Sequence, residues 1–125
     1  MSDLILIVED NDKNLKLVRD LLRHHGFETI EATNAEDGIA LARERKPRLV
    51  LMDIQLPGMD GVTALEKLRA DPSTAAMSVV AVTASVMKED RERFDKAGFD
   101  GFITKPIDVQ SFPETIRGHL RAARS

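Results

Sequence analysis

The chain has 125 residues, 42% hydrophobic and 31% charged, with 18 Lys+Arg against 21 Asp+Glu and a net charge of −3. A single domain of this size buries about two-thirds of the surface of its unfolded chain, enough for one core without staples. The absence of cysteine excludes disulfide scaffolds, Cys zinc sites, Fe–S clusters and thiol catalysis. So weak a negative charge argues against nucleic-acid binding through the overall field.

The first apolar run, Leu4 to Val8, stops at Glu9-Asp10 with no basic segment before it. It is too short for a signal peptide or a membrane span, so a cytoplasmic protein without membrane insertion is expected. The run is continuous rather than alternating, as in a strand buried on both faces. Leu15, Val18, Leu21 and Leu22 then follow helical spacing, and Gly26 can end that helix. Phe27 to Ala32 is more polar and partly alternates, which suits an edge strand. Asn34 can cap a helix from Ala35 to about Arg45, stopped by Pro47. Leu49 to Met52 is a second buried strand, and Val62, Leu65 and Leu68 mark the next helix. Val79 to Val82 is a third buried strand. Lys88 to Ala97 is a charged, thinly packed helix closed by Gly98. Phe102-Ile103 reads as the last strand. Ile116 and Leu120 mark the last helix, with Pro113 placed in or near its first turn.

Strands and helices alternate five times, which implies an α/β domain with a parallel sheet, read here as one domain over residues 1–125. Right-handed crossovers and a polar second strand at the edge suit the flavodoxin-like, doubly wound (βα)5 order 2-1-3-4-5. Ligands in such sheets bind beyond the carboxyl ends of the strands. There the sequence places Glu9 and Asp10, Asp53, Thr83 and Lys105. Each alone has an ordinary explanation as a cap, a turn former or a surface residue. Together they bring three carboxylates, a hydroxyl and an ammonium to one rim.

Three adjacent carboxylates repel and need cations. Lys105 is one, and an all-oxygen donor set with few carboxylates suits Mg²⁺ as the second. Such a site fits phosphoryl transfer, with Asp53 as the nucleophile that forms an acyl phosphate. The segment Asn11-Asp12-Lys13-Asn14 holds no glycine, which excludes a P-loop or dinucleotide-binding turn. His24-His25 reads as a helix C-terminal signal and His119 as a surface residue.

Leu6 to Asn11, Leu51 to Gly61 with Pro57-Gly58-Met59-Asp60, Val82-Thr83-Ala84 and Lys105-Pro106 together resemble the receiver domains of two-component response regulators. The likeness spans about residues 4 to 122. Finer details, Met52-Asp53-Ile54-Gln55-Leu56-Pro57 among them, resemble the single-domain cell-division regulators of alphaproteobacteria and imply a role in cell-cycle control. The resemblance implies a CheY-like fold. It makes Asp53 the acceptor of a phosphoryl group from a histidine kinase or a histidine phosphotransfer protein. Mg²⁺ would be held by Asp10, Asp53 and the backbone carbonyl of Gln55, with Glu9 acting through a water. Thr83 and Lys105 would hold the phosphoryl oxygens, Lys105-Pro106 would be cis, and Phe102 would be the switch aromatic.

The resemblance makes the chain a phosphoprotein that catalyses only its own phosphorylation and dephosphorylation, and not an enzyme. Two other readings compete with it. An aspartyl-phosphate phosphohydrolase commonly carries an acid two residues after its nucleophile, where this chain has Gln55. A phosphorylation-independent binding module would not need the complete set of site residues. A receiver module of a hybrid kinase is an alternative setting. With the chain ending at Ser125, no output domain is expected. Output would pass to a downstream protein target through the strand 4–helix 4–strand 5 face, from a monomer or weak dimer. Arg117, Arg121 and Arg124 read as a solvated helix edge and not as a nucleic-acid surface.

Overall fold

The computed structural model describes residues 3–84 and 87–123. Its accessible surface, 6845 Å², is what a compact chain of this mass exposes. Five strands, β1 (Leu4–Val8), β2 (Glu28–Ala32), β3 (Leu49–Asp53), β4 (Ser78–Thr83) and β5 (Gly101–Thr104), alternate with five helices. These are α1 (Asp12–His24), α2 (Ala35–Arg45), α3 (Gly61–Ala70), α4 (Lys88–Ala97) and α5 (Phe112–Ala123). All strand pairings are parallel and the order is β2-β1-β3-β4-β5, as the apolar runs imply.

Side chains alternate across a strand, so each continuous apolar run feeds two cores. Ile5, Ile7, Leu49, Leu51, Val80 and Val82 face Leu15, Val18 and Leu22 of α1 and Ile116 and Leu120 of α5. Leu6, Val8, Val50, Met52, Val79 and Ala81 face α2, α3 and α4. The polar β2 is an edge strand, with half-buried residues where β3 is buried throughout.

Local chemistry sets the helix ends. Asn11, Asn34 and Asp60 accept hydrogen bonds from the amides of Asn14, Asp37 and Thr63, satisfying N–H groups that a helix leaves unpaired. Gly26 and Gly98 take positive φ where α1 and α4 stop. Lys46 does so at the end of α2, and Pro47 follows it. Pro113 is the second residue of α5, where a missing N–H costs no helical bond. In α4 the N-cap is Met87, without a side-chain cap, and Phe94 is its buried residue. Arg69 brackets this end of the sheet. It donates to the carbonyls of Ala75 and Gly98 and to Asp100, each at 3.0 Å, and to the carbonyl of Met77 at 2.5 Å.

His119 departs from the sequence reading. It is half-buried and packs over Gly101, where a β-carbon would lie 2.5 Å from its ring. Burial lowers its pKa, against the opposing charge of Asp100. Its place follows from α5 lying across β5, which helical spacing alone does not reveal. Arg117 and Arg121 pair with Glu114 on the solvent side of α5, and Arg124 lies outside the described residues.

Candidate functional site

The parallel order brings the carboxyl ends of β1, β3, β4 and β5 to one rim. Glu9 follows β1, its amide held by the carbonyl of Ala32, and Asn11 donates its amide to the Glu9 carboxylate at 3.2 Å. Asp53 is the last residue of β3 and Thr83 the last of β4. Lys105 follows β5, its amide bonded to the carbonyl of Thr83 at 2.8 Å, and its bond to Pro106 is cis.

The four side chains Glu9, Asp53, Thr83 and Lys105 lie inward and Asp10 lies at the exposed mouth. The Lys105 ammonium sits 3.0 Å from Glu9 Oε1 and 3.1 Å from Asp53 Oδ2. The other Asp53 oxygen accepts from the Gln55 amide at 3.0 Å. Glu9, Asp10 and Asp53 each offer an oxygen within 4.8 Å of the other two. These are the residues the sequence placed at the strand ends, and the fold brings them together. Gln55 itself is exposed. In the connection from Thr83 to α4, Ser85 and Val86 lie outside the described residues.

One contributor was missed. A β-carbon on Gly61 would lie 2.6 Å from the carbonyl oxygen of Asp53 and 3.0 Å from Ile54 Cα. The start of α3 therefore folds back against the backbone of Asp53, closed by a Gly61 amide bond to the Ile54 carbonyl at 3.0 Å. The paired glycines of Pro57-Gly58-Met59-Asp60-Gly61 were the available signal: Gly58 takes positive φ and Gly61 the close approach.

Electrostatics marks the site as a cation trap. Burial, then a hydrogen bond to Asp53, pushes the Glu9 carboxyl up to about 7, although Lys105 and the Asn11 amide pull it down. Burial lowers the Lys105 ammonium's pKa, but its bonds to Glu9 and Asp53 outweigh that and the net shift is upward. Three carboxylates against one ammonium leave the fully ionised cluster two charges negative. A divalent cation would complete the balance, and an all-oxygen donor set suits Mg²⁺.

A pH dependence follows. The folded Glu9 keeps a proton that the unfolded chain sheds near pH 4.5. Its contribution to metal-free stability is complete below that pH and is lost as pH rises through about 7. His119 works oppositely, because its lowered pKa costs stability as pH falls below 6.5. Melting curves in chelator from pH 5 to 8 isolate Glu9 when wild type is compared with Glu9→Gln. Wild type is expected to lose stability relative to the variant across this range, and Mg²⁺ binding at pH 6.5 to release protons. A constant difference would return Glu9 to an ordinary carboxyl.

The response regulator receiver domain family matches residues 5–117. The chain is 45% identical over 120 residues to the polar-differentiation response regulator DivK of Brucella anthropi, covering 96% of this chain and 98% of that protein. Among solved structures it is similar to a CheY-like receiver domain protein from Methanospirillum hungatei, with a TM-score of 0.89, 30% identity, and coverage of 99% and 98%. It is also similar to the receiver domain of a sensor histidine kinase from Pseudomonas aeruginosa, which carries a magnesium ion in its active-site cleft. There the TM-score is 0.86 and the identity 28%, with both chains fully covered. Fold, motif order and these likenesses agree, and the chain belongs to the response regulator receiver family.

Proposed function

We propose that Asp53 is the phosphoacceptor of this receiver domain. What carries the reading is its buried carboxylate, held between the Lys105 ammonium at 3.1 Å and the Gln55 amide at 3.0 Å beside two further carboxylates. An Asp53 oxygen attacks the phosphorus of a phosphohistidine on a histidine kinase or phosphotransfer protein. The N–P bond breaks, its electron pair stays on the imidazole, which takes a proton from solvent, and an acyl phosphate forms on Asp53. Asp10, Asp53 and the Gln55 carbonyl would hold Mg²⁺, with Glu9 acting through a water. When bound, the ion offsets charge on the phosphoryl oxygens. Lys105 shares that task, and the Thr83 hydroxyl takes up a phosphoryl oxygen and passes the change to Phe102.

Gln55 cannot donate a proton as a carboxylic acid does. We therefore read the chain as acting on its own phosphoryl group, and expect it not to turn over small phosphate esters as a phosphohydrolase would. No helix among the described residues is long and apolar enough to cross a membrane. We place the protein in the cytoplasm, where its phosphodonors are, and read its output as phosphorylation-dependent protein binding on the β4–α4–β5 face. The name of the Brucella relatives supports a role in polar differentiation.

The test is incubation with a small phosphodonor, with and without chelator, followed by mapping of the added mass. Labelling is expected on Asp53 alone, to fall at least tenfold in chelator, and to vanish in Asp53→Asn. Full labelling of that variant, or indifference to the chelator, would overturn the assignment.

A further inference from the structure

Strand β5 sets Phe102 opposite Ala81 of β4 and Thr104 opposite Thr83. Side chains alternate, so Thr83 shares a face with Ala81 and is the diagonal cross-strand neighbour of Phe102. Ala81 adds little bulk between them.

The Phe102 ring is half-buried, and Arg91, in the first turn of α4, lays its guanidinium 4.9 Å from the ring centroid. These two side chains are common to the walls of two surface cavities. One, of about 330 Å³, lies between α4 and β5 beside Phe94, Phe99 and Gly101. The other, of about 260 Å³, runs toward α5 past Thr104, Pro106 and Phe112. The ring packs against the core on the α4 side of the sheet, borders open volume in both cavities, and carries the guanidinium over one face.

Helix α4 meets its neighbours at both ends. Its C-terminus is tied down where Arg69 meets the Gly98 carbonyl and Asp100, and where Phe94 packs edge-on against Phe99. Its N-terminus begins at Met87, 61% exposed and without a side-chain cap. The Arg91–Phe102 stack joins this first turn to β5.

We propose that Arg91 and Phe102 form a latch that holds the ring and the first turn of α4 in the resting arrangement and so opposes phosphorylation-driven movement. The proposal rests on the reading of Asp53 above. A contact made in one of two states biases the equilibrium by its own strength, here about two- to five-fold for a cation over a partly exposed ring. By linkage, breaking it tightens the binding of whatever favours the other state by the same factor.

The test uses beryllium fluoride with Mg²⁺, which places a phosphoryl-like group on a carboxylate. Arg91→Ala is expected to raise the affinity for this mimic about two- to five-fold. Arg91→Lys keeps the charge but not the planar stack and is expected to fall between. In a Phe102→Leu background Arg91→Ala is expected to add nothing. Fluorine NMR of protein carrying 4-fluorophenylalanine at its five Phe positions reads the ring directly, with the Phe102 signal assigned by Phe102→Leu. Arg91→Ala is expected to move that signal without mimic. An unmoved signal, an unchanged affinity, or a full Arg91 effect in the Phe102→Leu background overturns the latch. A wild type that does not bind the mimic overturns the reading of Asp53 instead, while the Phe102 signal still decides the stack.

Discussion

Replacing Lys105 by methionine is expected to lower the metal-free melting temperature by about 10 °C at pH 8 and by less at pH 6. The lysine is 20% exposed, and its partners Glu9 and Asp53 are 5% and 4% exposed. Removing the ammonium leaves two buried carboxylates facing one another, and stranding a buried ion-pair partner costs about 3 kcal/mol or more. In a domain of this size that is roughly 3–4 °C per kcal/mol. The loss is smaller at pH 6 because Glu9, with its pKa pushed up to about 7, is already protonated there. At pH 8 the variant must either force a proton onto Glu9 or hold two charges. Lys105 itself stays charged throughout, since its pKa is raised in the fold. Mg²⁺ is expected to narrow the gap, because a dication then meets an uncompensated cluster. Melting of both proteins in chelator and in Mg²⁺, at the two pH values, provides the measurement. An equal loss at pH 6 and pH 8 would mean that methionine disturbs packing and not charge.

Why Glu9, Asp10, Asp53, Thr83 and Lys105 were legible in the sequence is a matter of topology. A buried parallel strand announces itself as a continuous apolar run, and its end is where the run stops. Once the five strands are ordered 2-1-3-4-5, the residues at the ends of β1, β3, β4 and β5 converge. Helix ends were equally readable at Asn34, Gly98 and Pro113, because caps and proline act through local backbone chemistry. Contacts between elements were not readable. The sequence shows Arg69, Arg91 and His119 as polar residues on helical faces. Only the packed structure sets Arg69 against Gly98, Arg91 over Phe102 and His119 over Gly101. Long side chains reach several neighbours from one backbone position, and helical periodicity specifies a face without specifying which neighbour it meets.

Gly61→Ala is expected to damage the site more than the fold. The added methyl would lie 2.6 Å from the Asp53 carbonyl oxygen and 3.0 Å from Ile54 Cα, both backbone atoms that cannot rotate away. Relief requires a shift of the segment that carries Asp53, at about 2–3 kcal/mol for overpacking. A displacement of about 1 Å at a reacting group slows chemistry up to about a hundredfold, so phosphodonor labelling is expected to fall at least tenfold. Stability and positioning can be separated with a second glycine. Around Gly118, within α5, the nearest atom to a new β-carbon is a terminal nitrogen of Arg121 at 3.9 Å. Gly118→Ala should therefore stabilise the helix by about 1 kcal/mol and leave labelling unchanged. Combined with Gly61→Ala, it is expected to recover part of the lost stability, read by urea unfolding, and none of the lost labelling rate. If labelling recovers along with stability, Gly61 supports only the fold. If Gly61→Ala labels at the wild-type rate, the close approach at the start of α3 does not position Asp53.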